Sequence, residues 1–532
     1  MKQGIITLVR WTVPLTISGE EVTVTRLSPE LTHRSRRMNE RRRFLRCAAL
    51  SAVATALPLP LRADPYFPLP TGQTGRRVRV RGYCRAGGRG LRGVAISDGL
   101  SVIETSADGS FELLTHSGRE FVQISIPSGY AIPKNPSGTA RLYQPLVAGS
   151  SGEAEANFEL KPLAQDDDRH ALFLLADVQT QDSAEMGWYH EQTVPDISRL
   201  VDDLGPVEKF GVACGDIMYD NLELYPEYEE SVRRMGLPFF QVVGNHDLDF
   251  DGLVDSASTR TFSRHFGPRY YSFDRGVVHY VVLDDVFFHG QGYFGYLDLD
   301  QLNWLRADLE RVEPGRPVIV TLHIPVLGSS HLRNGLDEPK IGVSVTNREL
   351  LYRLLEPFDA HILSAHMHEN EHLFEHGVHE HVSAAVCGAW WSGPICGDGT
   401  PSGYSLYEIR GEEVTWRYKS TGRPLDHQMR LYRHGADPAA PDEIVANVWD
   451  WDPEWQVVWY EDGQRKGRMS RRTGRDPLSV ELHEGPELPL RRTWVEPNRT
   501  GHLFYAPASR EAGKITVEAT DRFGRVHAAE LG

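Results

Sequence analysis

No stretch of this 532-residue chain is apolar for long enough to cross a bilayer as a helix, which takes about 20 residues. The nearest candidate, Cys47 to Leu61, has 15 and carries Pro58 and Pro60. Positive charge is also scarce: 57 Lys and Arg face 73 Asp and Glu, a formal net charge of −16. That balance argues against nucleic acid as a general partner. No repeat of fixed period runs along the chain. With 40% hydrophobic and 24% charged residues, a wholly disordered polypeptide is excluded. The length exceeds what one hydrophobic core usually serves, so three folded domains are expected.

The first 63 residues have their own grammar. In "ERRRFLRCAALSAVATALPLPLRADP" arginines precede an apolar stretch that closes near a small residue, Ala63, the pattern of a secretory signal. Arg41 and Arg42 ahead of Phe44, Leu45 and Arg46 resemble the twin-arginine export motif. The expectation is an exported protein, periplasmic or extracellular, with Met38 a possible true start. Cutting after Ala63 takes away 11 of the Lys and Arg and 4 of the Asp and Glu, leaving a formal charge of −23. Four cysteines would remain: Cys84, Cys214, Cys387 and Cys396. They allow three pairings, of which Cys387 with Cys396 is favoured.

Residues 76–162 read as short strands joined by Asp-Gly and Ser-Gly turns, a small β-sandwich in which Asp98 and Asp108 serve turns. Residues 165–400 alternate apolar strands with helical patterns, which implies an α/β domain with its functional groups gathered at strand ends. In "DLDQLNWLRADLERV" the spacing of Leu302, Leu305, Leu309 and Val312 predicts a helix, with Asp300 as its cap. Residues 401–532 turn aromatic and β-like and are expected to form a separate C-terminal β domain, with Trp449, Trp451, Trp455 and Trp459 packed inward.

The chemistry sits in the middle. Five apolar strands end in side chains that can ligate a metal: Asp177 and Gln179, then Asp216, then Asn245 beside His246, then His323, then His366 and His368. Singly each is an ordinary strand-end residue; the ordered series points to a metal site. Carboxylate, amide oxygen and imidazole suit Mn, Fe or Zn. His372, His376, His379 and His381 crowd the stretch after this series and are expected to be mostly solvated or to lie behind the ligands. Trp390 and Trp391 either line a cleft or pack in the core.

The pieces "LLADVQ", "CGDIMYD", "VVGNHD", "TLHIP" and "SAHMH" resemble, in order, the calcineurin-like metallophosphoesterases, and the flanking β regions resemble those of three-part exported bacterial members. The resemblance implies one ion held by Asp177, Gln179, Asp216 and His368 and a second by Asp216, Asn245, His323 and His366, with Asp216 shared. It implies hydrolysis of phosphoric esters by a metal-bound hydroxide, on a small phosphorylated substrate, phosphomonoesters being favoured. His246 would act as general acid or stabilise charge, oriented by Asp220 or Asp247. Gln179 stands where many relatives carry His. "CGDIMYDN" lacks the Asp-Arg-Gly continuation of the protein Ser/Thr phosphatases and Val243 replaces their Arg, which disfavours a protein substrate. The alternatives are phosphodiester cleavage by the same site, and a non-catalytic metal-binding or adhesion protein.

Overall fold

The computed structural model describes residues 75–531, together with the backbone of an antiparallel strand pair, Leu8–Ile17 with Glu20–Pro29. That pair belongs to a separate unit, 1–73. The arginine-led segment expected to direct export lies outside the described residues. Among the described residues no helix is long and apolar enough to cross a membrane.

The central region is built on two sheets. In the first, β1 (Arg169–Leu175), β2 (Glu208–Cys214) and β3 (Phe239–Val242) run parallel. In the second, β4 (Tyr271–Arg275) pairs antiparallel with β5 (Val278–Val282), which continues in parallel through β6 (Pro317–Thr321) and β7 (Asp359–Ser364). The edge is closed by β8 (Glu371–Glu375) and β9 (Val378–Val382), β9 lying parallel to β7 and antiparallel to β8. The parallel strands β1, β2, β3, β5, β6 and β7 are short, mostly apolar runs buried over most of their length, as parallel strands covered on both faces must be, while the edge strand β8 is partly exposed. Leu172, Leu174, Val212 and Phe240 of the first sheet and Phe273, Tyr280, Ile319 and Leu363 of the second share one core. The parallel strands therefore deliver their C-terminal ends to a common edge.

Two strands past residue 401 change the expected domain plan. β10 (Gly403–Arg410) pairs antiparallel with β1, and β11 (Glu413–Ser420) pairs with β10, so the first sheet has the order β3-β2-β1-β10-β11. The reading that everything after 401 is a separate domain is corrected: this hairpin completes the central sheet, because β1 would otherwise be left an open, apolar edge. Only later does the chain form two four-stranded antiparallel sheets, around a core that includes Trp455 and Trp459. Trp449 is also buried, against Trp391 and Tyr418. Upstream of β1, a five-stranded and a four-stranded sheet pack as a sandwich, the strand Arg77–Ala86 alternating buried and exposed residues.

Local details also depart from expectation. The helix Leu299–Leu309 is capped by Asp298, whose carboxylate accepts the Gln301 amide, and Asp300 sits inside its first turn. The four cysteines are free and buried, so the favoured Cys387–Cys396 pairing is not made. Cys387 instead donates to the Val178 carbonyl and Cys214 to that of Leu322, each at 3.0 Å.

That same helix is tied to the second sheet by a buried charge pair. His279 of β5 places Nε2 3.0 Å from Asp308 Oδ2 and Nδ1 2.9 Å from Asp274 Oδ1. Burial pushes this imidazole down, but Asp308 and then Asp274 outweigh it and raise it to about 10. A basic group raised from 6.5 stabilises the fold fully below about pH 6.5 and loses that contribution as pH climbs through about 10. Asp308→Asn should cost about 3 kcal/mol at pH 6 and progressively less toward pH 10, as read by thermal denaturation across the range; a deficit independent of pH would contradict the pairing.

Candidate metal centre

The strand ends put the predicted residues in one place, and the backbone is bent to do it. Asp177, Gln179, Asp216, Asp220, His366 and His368 all have positive φ, between 47° and 65°. This left-handed region costs a residue with a Cβ about 1–2 kcal/mol, and such strain persists where a site requires it. Two glycines make the approach possible. A Cβ on Gly215 would lie 2.3 Å from His323 Nδ1, and one on Gly244 would lie 1.9 Å from the Asp216 amide nitrogen. The glycine before Asp216 and the one before Asn245 are thus required by the close passage of the loops that carry the ligands.

Asp216 is the centre. Its Oδ1 lies 3.2 Å from His323 Nε2 and accepts the His246 amide at 2.8 Å, while Oδ2 accepts Gln179 Nε2 at 2.9 Å. On one side, Asn245 Oδ1 is 3.2 Å from the same His323 Nε2, and donor atoms of Asp216, His323 and His366 all fall within 4.8 Å of one another. On the other, His368 Nε2 is 3.3 Å from Asp177 Oδ1. The structure therefore brings together all seven predicted ligands: Asp177, Gln179, Asp216, Asn245, His323, His366 and His368.

The supports explain which nitrogen His323 and His366 offer. His323 Nδ1 is held by the Cys214 carbonyl at 2.9 Å, and its backbone amide by Asp285 Oδ1 at 3.1 Å. His366 engages the Gly342 carbonyl through Nε2, leaving Nδ1 for the site. Burial pushes the Asp216 carboxyl up, but His323 and His246 outweigh it and hold the group below the usual carboxylate range. His323 is pushed down by burial and lifted by Asp216 to about 10. His366, buried and facing His323, falls to about 3.

A divalent ion fits this donor set. Asp177 Oδ1 and Gln179 Oε1 are buried, and neither has a hydrogen-bond partner among the described residues. Buried oxygens left unpaired are costly, and a cation between them and His368 would satisfy both. The set of oxygen and imidazole ligands, with no thiolate, suits Mn, Fe or Zn.

His246 stands at the mouth. Its Nδ1 lies 2.7 Å from Asp220 Oδ1, and its Nε2 faces inward, 4.0 Å from Asp216 Oδ2. Burial pushes the imidazole down, but Asp216 and Asp220 prevail and raise it. The carboxylate that orients it is Asp220. The expected role of Asp247 is corrected, since this fully buried residue accepts the backbone amides of Ile217, Met218 and Gly244 and the Tyr225 hydroxyl, at 3.0 to 3.2 Å. It ties the loop after β2 to the loop after β3 and does not touch the imidazole, because its place in the tight turn faces the chain's own amides.

Aromatic and basic neighbours complete the mouth, and of these the sequence singles out only Trp390. Tyr219 lies against His246, ring centres 4.5 Å apart, and Trp390 lies 5.4 Å from Tyr219 and 5.3 Å from His368. Trp390 thus lines the cleft while Trp391 is buried. From the C-terminal region Arg492 places its guanidinium 4.9 Å from the Tyr219 ring and pairs with buried Glu185 at 2.6 Å. Tyr219 stands in the motif "CGDIMYD" and could have been suspected; Arg492, some 270 positions on, gives no local signal.

Three family models match in order: the N-terminal region of calcineurin-like phosphoesterases over residues 78–163, the calcineurin-like phosphoesterase domain over 172–370, and the C-terminal region over 380–527. Among curated proteins the chain is 28% identical over 245 residues to the serine/threonine-protein phosphatase CPPED1 of Mus musculus, covering 43% of this chain and 72% of that protein. The Homo sapiens protein of the same name is 27% identical over 243 residues, with the same coverage. Among solved structures, a dimetal phosphatase from Danio rerio aligns with a TM-score of 0.34 at 14% identity, over 47% of this chain and 96% of that one.

Gly244→Ala tests the cradle. The added methyl must displace Asp216, so bound metal measured by mass spectrometry should fall about tenfold or more, with the fold retained by circular dichroism. Normal metal content in this variant would show that the close approach is not required.

Proposed function

The chain belongs to the calcineurin-like phosphoesterases and is a phosphoric ester hydrolase, and from that premise we propose that it cleaves small phosphomonoesters with His246 as the proton donor. Asp177, Gln179, Asp216 and His368 would hold one ion, and Asp216, Asn245, His323 and His366 the other. Two such ions, when bound, draw charge from phosphoryl oxygens and make a nearby water more acidic. The chain's own residues supply the rest. Asn245 and His246 are adjacent, so the loop that carries a ligand also carries the acid.

The observation that carries the reading is the orientation of His246. With Nδ1 engaged by Asp220, the proton available to a substrate is the one on Nε2, which faces the cleft beside Asp216. A proton donor there favours esters whose leaving oxygen is a poor leaving group. Tyr219 packed on the ring limits its rotation, and Arg492 packed on Tyr219 extends that support to the C-terminal region.

Phosphodiesters would use the same acid and are the second reading. The mammalian relatives are named as protein phosphatases, which adds phosphoproteins to the substrates to be compared. The aromatic wall of Tyr219 and Trp390 beside His246 favours a small ligand. The arginine-led segment near Arg41 and Arg42 supports action outside the cytoplasm.

The test is a series of aryl and alkyl phosphomonoesters graded by leaving-group basicity, with a phosphodiester and a phosphopeptide alongside, assayed on the full chain with Mn. Chelation and Asp216→Ala should each abolish turnover. His246→Ala should slow alkyl esters by about 10²–10⁴-fold and esters with good leaving groups far less. Equal slowing across the series would refute the general-acid role, and faster turnover of the diester or the phosphopeptide would replace the small monoester as substrate.

A further inference from the structure

A second cluster of histidines lies in the second central sheet and shares no residue with the metal centre. His361 is on β7, His372 on β8, and His379 and His381 on β9. The pairing sets His361 opposite His379 and His372 opposite His381. Directly paired residues, and residues two apart on a strand, share a face of the sheet, so four imidazoles converge on one side. The tract is expected from sequence to be mostly solvated or to lie behind the ligands, and the solvated reading is corrected: His379 and His381 are 7% and 2% exposed, as is the neighbouring His361 at 9%, and of the four extra histidines only His376, with half its side chain exposed, is solvated.

Their nitrogens face one another. His361 Nδ1 and His381 Nε2 are 3.0 Å apart, as are His372 Nδ1 and His379 Nε2, and ligand atoms of His361, His379 and His381 all lie within 4.8 Å of one another. Two imidazole nitrogens at that separation require that one of them be unprotonated, so each pair already carries a lone pair directed inward. His381 Nδ1 is buried and has no hydrogen-bond partner among the described residues. The walls are Trp416, Phe374 and Tyr407. Of the charged groups nearby, Arg522 lies over Trp416 and is paired with Asp452, and Asp450 Oδ1 is 3.1 Å from His372 Nε2.

We propose that this cluster is a second, structural metal site for a zinc-like divalent cation, ligated by imidazoles of the His361, His372, His379 and His381 group. Imidazole-rich sets suit Zn, Cu and Ni. Tetrahedral Zn with nitrogen ligands at about 2.0–2.1 Å sets those ligands about 3.3 Å apart, close to the 3.0 Å pairs found here. Asp450 supplies the supporting carboxylate that a metal-bound histidine characteristically engages through its other ring nitrogen. Asp450 follows the strand Ile444–Asn447 of the C-terminal sheets and also accepts the Tyr418 amide through Oδ2. An ion here would join β7, β8 and β9 to β11 and to the C-terminal region. It would not take part in hydrolysis, and the inference does not rest on the proposed activity.

The experiment counts metal in the full chain. Wild type, Asp216→Ala and a His361→Gln/His379→Gln double variant are stripped with chelator, dialysed against zinc and measured by mass spectrometry. The double variant should carry one zinc fewer than wild type and should hydrolyse esters in the presence of Mn. Asp216→Ala should still gain thermal stability on adding zinc. Equal zinc in wild type and the double variant would overturn the site. Should the double variant fail to fold, anomalous scattering at the zinc edge from wild-type crystals decides: a peak among the four imidazoles supports the site, and its absence with zinc present at the metal centre refutes it.

Discussion

Everything in the catalytic region depends on one buried carboxylate. Asp216, 1% exposed, stands at the end of β2 with His323, Gln179 and the His246 amide around it. A lone carboxylate in that position would be driven to protonate by loss of water. The positive and hydrogen-bonding neighbours reverse that tendency and keep it charged. A charge held in this way draws cations, and the strand ends of both sheets are bent to supply the other ligands.

That bending explains the cluster of left-handed backbone conformations. Six residues assigned to the site adopt positive φ, although none is a glycine, and the true glycines, Gly215 and Gly244, stand where a side chain would collide with His323 or Asp216. The strain of these turns is offset by two rigid sheets sharing a core and by Asp247, which collects three backbone amides and a tyrosine hydroxyl. The stability of the scaffold thereby maintains the geometry of the ligands.

The C-terminal region enters the same arrangement. Its first hairpin completes the central sheet, Arg492 reaches the aromatic ring that supports His246, and Arg333 near the cleft pairs with Glu369, the residue after His368, while its Nε donates to the Arg499 carbonyl at 2.7 Å. The central and C-terminal parts, which the sequence divides into separate domains, therefore share responsibility for one cleft.

The α/β alternation, the strand ends and the ligand candidates from Asp177 to His368 were legible in the sequence, because apolar strands and the polar residues that end them are local patterns. Pairings between distant segments were not. That β10 joins β1, that Asp220 rather than Asp247 meets His246, and that the histidines of β7, β8 and β9 share one buried face are all matters of register and side-chain direction. A linear sequence lists the groups capable of chemistry; which of them meet is decided by long-range strand pairing and packing, since burial and hydrogen bonding act between residues that the chain keeps far apart.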